Sequence, residues 1–540
     1  MKPMNTEQKK AFGELLKALV KFVGDDGKID LREAVVIQEL VKPLAAADKD
    51  CAALADIVNK ALPDGVITPE ESDALVKVIS RLTSRNNGLV YQIEDRPPFL
   101  ESCFAALQHL FAIVVSICTP PLLIAGGLKC DQATTSYLCS MALFASGLST
   151  FIQCHKFGPI GCRLLCVQGT SFQFLGPAIA CGAAAVAAKV SGAEPGSLEQ
   201  YAYGLPTVFG CCFAAAPVEM IAAYFFKYLR KVITPVVSGT VVILIGLSLV
   251  KVGLITAAGG YGSMAPTAVY KFGCWQNFAA SGIVIAAVVF FNCFRNRFLR
   301  MGSVVLGILA GLVMCGIIGI PFNTVQLDWV SFACPTPLKY GMDFNLSGII
   351  GFAFIYLVTA IEATGDMTAN SLISGLSVKD ESYHKRVSGG VMADGFNSAL
   401  ACVFSSFPNS IFAQNNGIIQ LTGVASRYVG YFIAAALVLL GLYKPVGDLF
   451  SFIPDPVLGG ATLLAFGMVA SAGIRIVAQE TMTHKSALVL ALSLAIGIGV
   501  ELVPDALATL PASLKQVLSN GIIIGGLVAI IANLIIPEKE

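Results

Sequence analysis

The chain has 540 residues, of which 55% are hydrophobic and 13% are charged, and its mean hydropathy is +0.74. This composition excludes an ordinary soluble protein of this length and predicts a membrane protein. The formal net charge of +1 gives no indication of a nucleic-acid partner.

Charge is concentrated at the start of the chain. Residues 1–98 contain 14 Lys or Arg and 16 Asp or Glu, which is 30 of the 71 charged residues. This distribution predicts a hydrophilic domain with a linker at 1–98 and a transmembrane domain at 99–540. Residues 1–10 are polar and do not resemble a secretory signal peptide, so we expect the first domain to lie in the cytoplasm.

The first domain is predicted to be helical. Amphipathic patterns predict helices at 6–22, 33–46, 50–62 and 69–84. Two connecting turns, 25–33 and 63–71, resemble the second half of a calcium-binding loop, which also needs oxygen ligands at its first and third positions. Those positions hold Phe22 and Gly24 in one copy, and Lys60 and Leu62 in the other. We therefore expect helix-connecting turns rather than metal sites, and the role of this domain stays open.

Fourteen segments of the remaining chain are candidate membrane spans. A spanning helix needs about 20 mostly apolar residues, and eleven runs meet this condition: 104–124, 134–153, 205–225, 233–254, 277–294, 302–320, 347–365, 428–443, 445–472, 486–503 and 519–537. Three weaker segments, 161–185, 388–404 and 411–426, are interrupted by polar residues, glycine or proline. Hydropathy alone allows between twelve and fourteen spans.

Loop charge supports an even number of spans. If residues 1–98 are cytoplasmic, the loops on that side contain 14 Lys or Arg, and the opposite loops contain 7. This bias has the sign of the positive-inside rule. We expect a multi-pass protein of a bacterial inner membrane with both termini in the cytoplasm.

The sixteen cysteines include no CxxC pair, so we predict neither a disulfide framework nor a zinc site.

Two interrupted segments occupy corresponding positions in the two halves of the chain. One is the third span, whose polar run covers 166–174, and the other is the run 406–415 that leads into the tenth span. Paired broken spans indicate the central site of a transporter, where unwound backbone lines a cavity. The alternative is two kinked helices with ordinary interhelical hydrogen bonds.

Five ionisable residues lie at membrane depth, where charge is costly. Glu362 and Asp366 share a helix face, although Asp366 could simply lie at a helix end. Asp394 is flanked by glycines and could be either a packing hydrogen-bond acceptor or a protonation switch. Glu219 could be a structural partner of a neighbouring helix. His109 could be a packing residue or part of a proton relay.

Three motifs resemble those of the nucleobase–ascorbate transporter family, also called nucleobase:cation symporter-2. They are Gln-Asn-Asn-Gly through Thr-Gly at 414–423, Glu-Ala-Thr-Gly-Asp at 362–366 and Gly-Val-Met-Ala-Asp-Gly at 390–395. Their order and spacing agree with the family, and the resemblance covers about 100–537. Residues 1–98 lie outside it.

The resemblance implies an all-α membrane protein with fourteen transmembrane segments in a seven-plus-seven inverted repeat. Spans 1–4 and 8–11 would form a core domain. Spans 5–7 and 12–14 would form a gate domain, through which the protein would form a homodimer within the lipid bilayer. Short strands would interrupt spans 3 and 10.

The resemblance also implies the residues that bind substrate. Glu362 would be the main substrate-binding carboxylate, Gln414 a second direct ligand and Asn415 a supporting residue. These roles suit a purine dione, because a carboxylate accepts from ring N–H groups while a primary amide both donates and accepts.

Three further residues, Asp394, His109 and Ser171, receive roles from the same resemblance, whereas the role of Phe172 and Phe174 follows from their aromatic rings. Asp394, together with Glu362, would couple transport to protons. His109 and Ser171 would line or support the pocket. Phe172, and also Phe174, could stack on a purine ring, but Phe172 could equally be a packing residue.

The first position of the 414–423 motif indicates the substrate class. By resemblance, uracil permeases usually have Glu there and ascorbate transporters Pro, so Gln414 indicates xanthine or uric acid. Ser171 replaces an Asn that is frequent in bacterial xanthine permeases, which leaves room for a bulkier, more oxidised purine. We expect proton symport of xanthine or uric acid, with no cofactor, no metal and no enzymatic activity.

The alternatives are a uracil or broader nucleobase permease, a passive nucleobase facilitator or channel, and an anion transporter of the sulfate-permease type.

Overall fold

The computed structural model describes most of the transmembrane domain and part of the first domain. The described residues are 31–42, 44, 49–61, 68, 75, 78, 89–189, 201–225, 234–264, 268–294, 296, 299–300, 302–322, 329–378, 380–478, 482–510, 518 and 520–537.

Within these residues the chain forms seventeen α-helices and two short strands, β1 (Gln168–Thr170) and β2 (Asn409–Ile411). The helices before β1 are α1 (Leu31–Val41), α2 (Lys49–Ala61), α3 (Phe99–Gly127) and α4 (Gln132–His155). Between the strands lie α5 (Leu175–Lys189), α6 (Tyr201–Tyr224), α7 (Pro235–Ala257), α8 (Trp275–Asn292), α9 (Ser303–Ile318), α10 (Leu346–Ile373) and α11 (Glu381–Val403). After β2 come α12 (Gln414–Thr422), α13 (Arg427–Leu442), α14 (Lys444–Ser451), α15 (Asp455–Val477), α16 (His484–Leu502) and α17 (Gly521–Ile535).

The two strands pair with each other in the antiparallel sense. Gln168 lies opposite Ile411 and Thr170 opposite Asn409, and every residue of both strands is buried. Inside a membrane, backbone N–H and C=O groups that leave a helix must find partners within the protein. Pairing across the two halves of the chain satisfies these groups, and it places the ends of the two interrupted segments side by side.

The fold is that of a multi-pass membrane protein. By length and composition, eight helices could cross a membrane, namely α3, α4, α6, α7, α8, α10, α15 and α16. Shorter apolar helices cover Phe172–Ala188, Ser303–Ile318, Arg427–Leu442 and Gly521–Ile535. Helix α4 packs against α13, α6 against α11, and α7 against α15. Glycines allow some of these approaches, because a Cβ at Gly147 would lie 2.7 Å from the Ala434 carbonyl oxygen.

The prediction of one continuous span at 445–472 is wrong. Helix α14 ends at Ser451, and α15 begins after Pro454. Proline lacks a backbone N–H group and disfavours helical geometry in the residue before it, so the helix ends ahead of Pro454.

The described part of the first domain contains two packed helices. Helices α1 and α2 overlap the predicted 33–46 and 50–62, and Gln38 donates to Asn59 across them at 2.7 Å. Ile37 and Leu54 are fully buried. The predicted helix 6–22, most of 69–84 and most of the two calcium-like turns lie outside the described residues.

Candidate functional site

The chain between β1 and α5 makes a short turn that is capped by Ser171. The Ser171 hydroxyl accepts from the backbone N–H of Gln173 at 3.3 Å, at the start of the 3₁₀ turn Phe172–Phe174. The Ser171 amide nitrogen donates to the Pro408 carbonyl at 2.9 Å, just before β2. Ser171 is therefore buried and tied to both interrupted segments.

Glu362 lies on α10 and receives a hydrogen bond from the Gln173 side chain. Glu362 is half-buried, whereas Gln173 is almost fully buried. The side-chain carbonyl oxygen of Gln173, Oε1, has no hydrogen-bond partner among the described residues. Gln173 was not predicted as a site residue, although it lies in the polar run 166–174.

A network of asparagines holds α12 against α10. Asn415 and Asn370 both donate to the Leu165 carbonyl, at 2.5 and 2.9 Å. Asn370 also donates to the Asn416 side chain at 2.9 Å, and Asn416 donates to the Asp366 carbonyl at 3.1 Å. Asn415 is therefore buried and bonded to the backbone, and its supporting role stays a prediction. Asn370 was missed, and its spacing of four residues from Asp366 is the signal that could have indicated it.

Gln414 is exposed, as is Ala413 before it. Gln414 is the first residue of α12, and the two residues that follow it are buried. Of the predicted substrate ligands, Gln414 and the half-buried Glu362 are accessible, whereas Asn415 and Ser171 are buried. The accessible pair lies on α12 and α10, the two helices that the asparagines join.

His109 is fully buried on α3, next to the Asn415 side chain. Neither ring nitrogen makes a hydrogen bond of good geometry within the described residues. Because a buried polar group without a partner is costly, the His109 ring has unused capacity to donate or accept at this point.

The two phenylalanines of the turn have different surroundings. Phe172 is half-buried, and its ring packs edge-on against Phe466 of α15 with 5.5 Å between centroids. Phe174 is fully buried against Phe352 and Tyr356. Phe174 is therefore a packing residue, and Phe172 is the accessible ring.

Asp394 is fully buried on α11 and is held by two glutamines. Its Oδ1 atom accepts from Gln153 of α4 at 3.0 Å and from Gln168 of β1. Gln153 also donates to the Gly390 carbonyl at 2.9 Å. The Oδ2 atom has no hydrogen-bond partner in the described part of the chain. Neither glutamine was singled out beforehand, because their partner lies more than two hundred residues away.

Two more carboxylates lie nearby. Thr359 of α10 donates to Glu219 of α6 at 2.9 Å, so Glu219 links these two helices. Helix α10 continues to Ile373, which places Asp366 inside the helix and not at its end. Glu219, Glu362, Asp366 and Asp394 are electrostatic neighbours. The hydrogen bonds to their side-chain oxygens come from amides and hydroxyls within the described residues. Such a cluster of carboxylates can take up a proton.

The family model and the related proteins that match this chain are all permeases. Residues 100–506 match the family model Xan_ur_permease, described as a permease family. Xanthine permease XanP of Escherichia coli K12 is 42% identical over 458 residues, which is 85% of this chain and 96% of that protein. Uric acid permease PucJ of Bacillus subtilis is 33% identical over 441 residues, which is 81% of this chain and 92% of that protein.

Solved structures show the same fold at low sequence identity. The transmembrane domain of the cyanobacterial bicarbonate transporter BicA is 13% identical, with a TM-score of 0.53, and covers 82% of this chain and 99% of that one. The murine anion transporter Slc26a9 in its inward-facing state is 12% identical, with a TM-score of 0.55, and covers 81% of this chain and 69% of that one. At these identities the likeness concerns the fold alone.

Proposed function

The chain belongs to the nucleobase–ascorbate transporter family, and we propose that it imports an oxidised purine, xanthine or uric acid, by proton symport. The protein is a transporter and not an enzyme. The observation that carries the proposal is the accessible pair Glu362 and Gln414, placed on two helices that buried asparagines hold together.

The proposed ligands match the chemistry of a purine dione. Such a ring presents N–H donors and carbonyl acceptors around its edge. Glu362 can accept from ring N–H groups, and the Gln414 amide can donate to a carbonyl while it accepts from an N–H. Phe172 is half-buried and would offer an apolar face to the ring. Ser171, Asn415 and His109 would act from buried positions as supporting residues.

Proton coupling is assigned to Asp394 and Glu362. Asp394 Oδ1 accepts two amide donors, and its Oδ2 atom has no partner in the described chain. A proton would bind at Oδ2 without displacing a hydrogen bond. Glu362 lies among the same carboxylates, so a proton taken up nearby would favour the binding of an electron-rich purine. The core would then move against the gate to expose the site on the other side.

The contact pattern supports fourteen spans in a seven-plus-seven repeat. Counted along the chain, α4 is span 2, α6 span 4, α11 span 9 and α13 span 11. Span 2 packs against span 11, and span 9 packs against span 4. In a seven-plus-seven repeat span 9 is the equivalent of span 2, and span 4 is the equivalent of span 11, so the two contacts are equivalent. Spans 6 and 7 likewise map onto 13 and 14. The interrupted spans 3 and 10 pair with each other, as an inverted repeat requires.

The same contacts support two domains within 99–540. The pairs 2–11 and 4–9 fall inside a core of spans 1–4 and 8–11, and the pair 5–12 falls inside a gate of spans 5–7 and 12–14. We propose that the gate also forms the homodimer. Residues 1–98 would be a cytoplasmic domain with its linker.

Uptake of labelled xanthine and uric acid by cells that lack their own purine importers tests this proposal. Wild type should accumulate one or both, and a protonophore should abolish accumulation because the driving gradient is lost. Glu362→Gln should reduce uptake by roughly 10- to 100-fold, since a hydrogen bond to a charged group contributes about 1.5–3 kcal/mol. The matched control is Glu381→Gln, which removes a carboxylate from an exposed ion pair with Lys385.

Uptake by wild type that a protonophore does not change would indicate a passive facilitator. Stronger competition by uracil than by uric acid would indicate a broader nucleobase permease. Normal purine uptake by Glu362→Gln would remove the main site assignment.

A further inference from the structure

Residues 89–96, here called the linker strand, pair with the chain just after α12. This helix ends at Thr422, and the next residue, Gly423, has a left-handed φ of 71°. The backbone bonds are Val90 N and Tyr91 N to Gly423 O at 2.7 and 3.1 Å, Ala425 N to Tyr91 O at 2.9 Å and Arg427 N to Ile93 O at 3.0 Å. Ser426 adds a side-chain bond to the Asp95 carbonyl at 2.6 Å. The linker strand is thus joined to the transmembrane domain over most of its length.

Glu94 of the linker strand bridges two arginines. Its Oε2 atom accepts from Arg427 at 2.9 Å, and its Oε1 atom accepts from Arg163 at 3.0 Å. The Arg427 side chain is only 10% exposed, whereas those of Glu94 and Arg163 are about half exposed. A largely buried guanidinium needs a partner, and in the described residues Glu94 is the carboxylate that Arg427 meets.

The two arginines flank the two interrupted segments. Arg163 lies shortly before β1, and Arg427 begins α13, shortly after α12. One carboxylate therefore joins the far ends of both segments, while β1 and β2 join them at the centre. The linker strand also reaches the first span, because the Tyr91 hydroxyl donates to Glu101 at 2.5 Å.

We infer that Glu94 is a positioning residue for substrate capture: through Arg163 and Arg427 it keeps the two interrupted segments in register, and with them Ser171 and Gln414. This inference rests on the proposed function of those segments. The linker strand would then contribute to substrate binding, in addition to connecting the first domain to the transmembrane domain.

Glu94→Gln tests the inference in the full-length protein. The variant keeps the shape of the side chain but loses the charge that both arginines share. The expected result is a rise of about tenfold in KM for the transported purine, equivalent to about 1.4 kcal/mol, with little change in Vmax per transporter in the membrane. A purely structural role would instead lower the amount of transporter, and so Vmax, at constant KM. The control Glu381→Gln should leave KM unchanged, because exposed ion pairs contribute little.

Arg163→Gln keeps the test open if Glu94→Gln does not fold, since it leaves Arg427 paired. This variant should raise KM by a smaller factor, and combining both substitutions should not exceed the effect of Glu94→Gln alone. Wild-type KM in both single variants would overturn the inference. Failure of the proposed function would appear differently, as absence of purine uptake by wild type itself.

Discussion

The two interrupted spans pair through β1 and β2, but their polar side chains differ in burial and in hydrogen-bond partners. Around β1, the polar side chains are buried and directed at carboxylates: Gln168 donates to Asp394, and Gln173 donates to Glu362. After β2, Gln414 is exposed, and the buried Asn415 and Asn416 bond to backbone and to Asn370. The first segment therefore supplies amide donors to the acidic groups, whereas the second leaves an amide exposed. The comparison shows that two segments with paired backbones can carry side chains in different environments.

The largest effect should come from Gln168→Leu in the first of these segments. Leucine keeps most of the side-chain volume but leaves Asp394 with Gln153 as its one described amide donor. A hydrogen bond to a charged group contributes about 1.5–3 kcal/mol, so uptake per transporter should fall by roughly 10- to 100-fold. The measurement is initial uptake normalised to the amount of transporter in the membrane.

Gln420→Leu is the control for Gln168→Leu, because Gln420 is an exposed glutamine on α12. It should retain normal uptake. Equal uptake by Gln168→Leu and wild type would show that β1 does not hold the carboxylate, and the contrast between the two segments would disappear.

An intermediate effect is expected from Asn370→Ala, which acts on the second segment. It removes donors to the Leu165 carbonyl and to Asn416. Loss of buried hydrogen bonds costs about 1–3 kcal/mol, so the melting temperature should fall and KM should rise several-fold. Thermal unfolding in detergent and uptake kinetics measure the two quantities.

Asn292→Ala provides a control for this prediction at an exposed asparagine of another helix. Asn292 of α8 also makes two hydrogen bonds, to the Val288 carbonyl at 3.0 Å and to Ser303 at 2.9 Å. It should lower the melting temperature without changing KM. The same rise in KM in both variants would contradict a specific role for the asparagine network.

The smallest effect should come from Ser171→Asn. Asparagine can cap a turn as serine does, so we expect the fold to be retained, while the larger side chain reduces the space beside the site. Competition experiments should show a shift towards xanthine and away from uric acid that is smaller than the several-fold change expected for Asn370→Ala. Unchanged relative affinities would show that Ser171 does not contribute to the choice between these purines.

The sequence was informative where membrane burial makes polarity costly. Glu362, Asp394 and the polar runs at 166–174 and 406–415 could be identified because each departs from an apolar background. The pairing of those groups could not be identified in this way. Gln153 and Gln168 meet Asp394 from more than two hundred residues away, and an amide alone does not indicate its partner. The helix break before Pro454 was overlooked because the surrounding run is strongly apolar.

The pairing of β1 with β2 has a consequence for biogenesis. Gln168 lies opposite Ile411. After Gln168 has been added, 411 − 168 = 243 more residues must be synthesised before the chain reaches its partner. At 5–20 residues per second, this interval is roughly 10 to 50 seconds. During that time β1 lacks its strand partner and would require shelter from lipid. The strand pair beside the proposed binding site is therefore completed late in synthesis, and a chain that stalls before residue 409 should be a preferred substrate for membrane quality control.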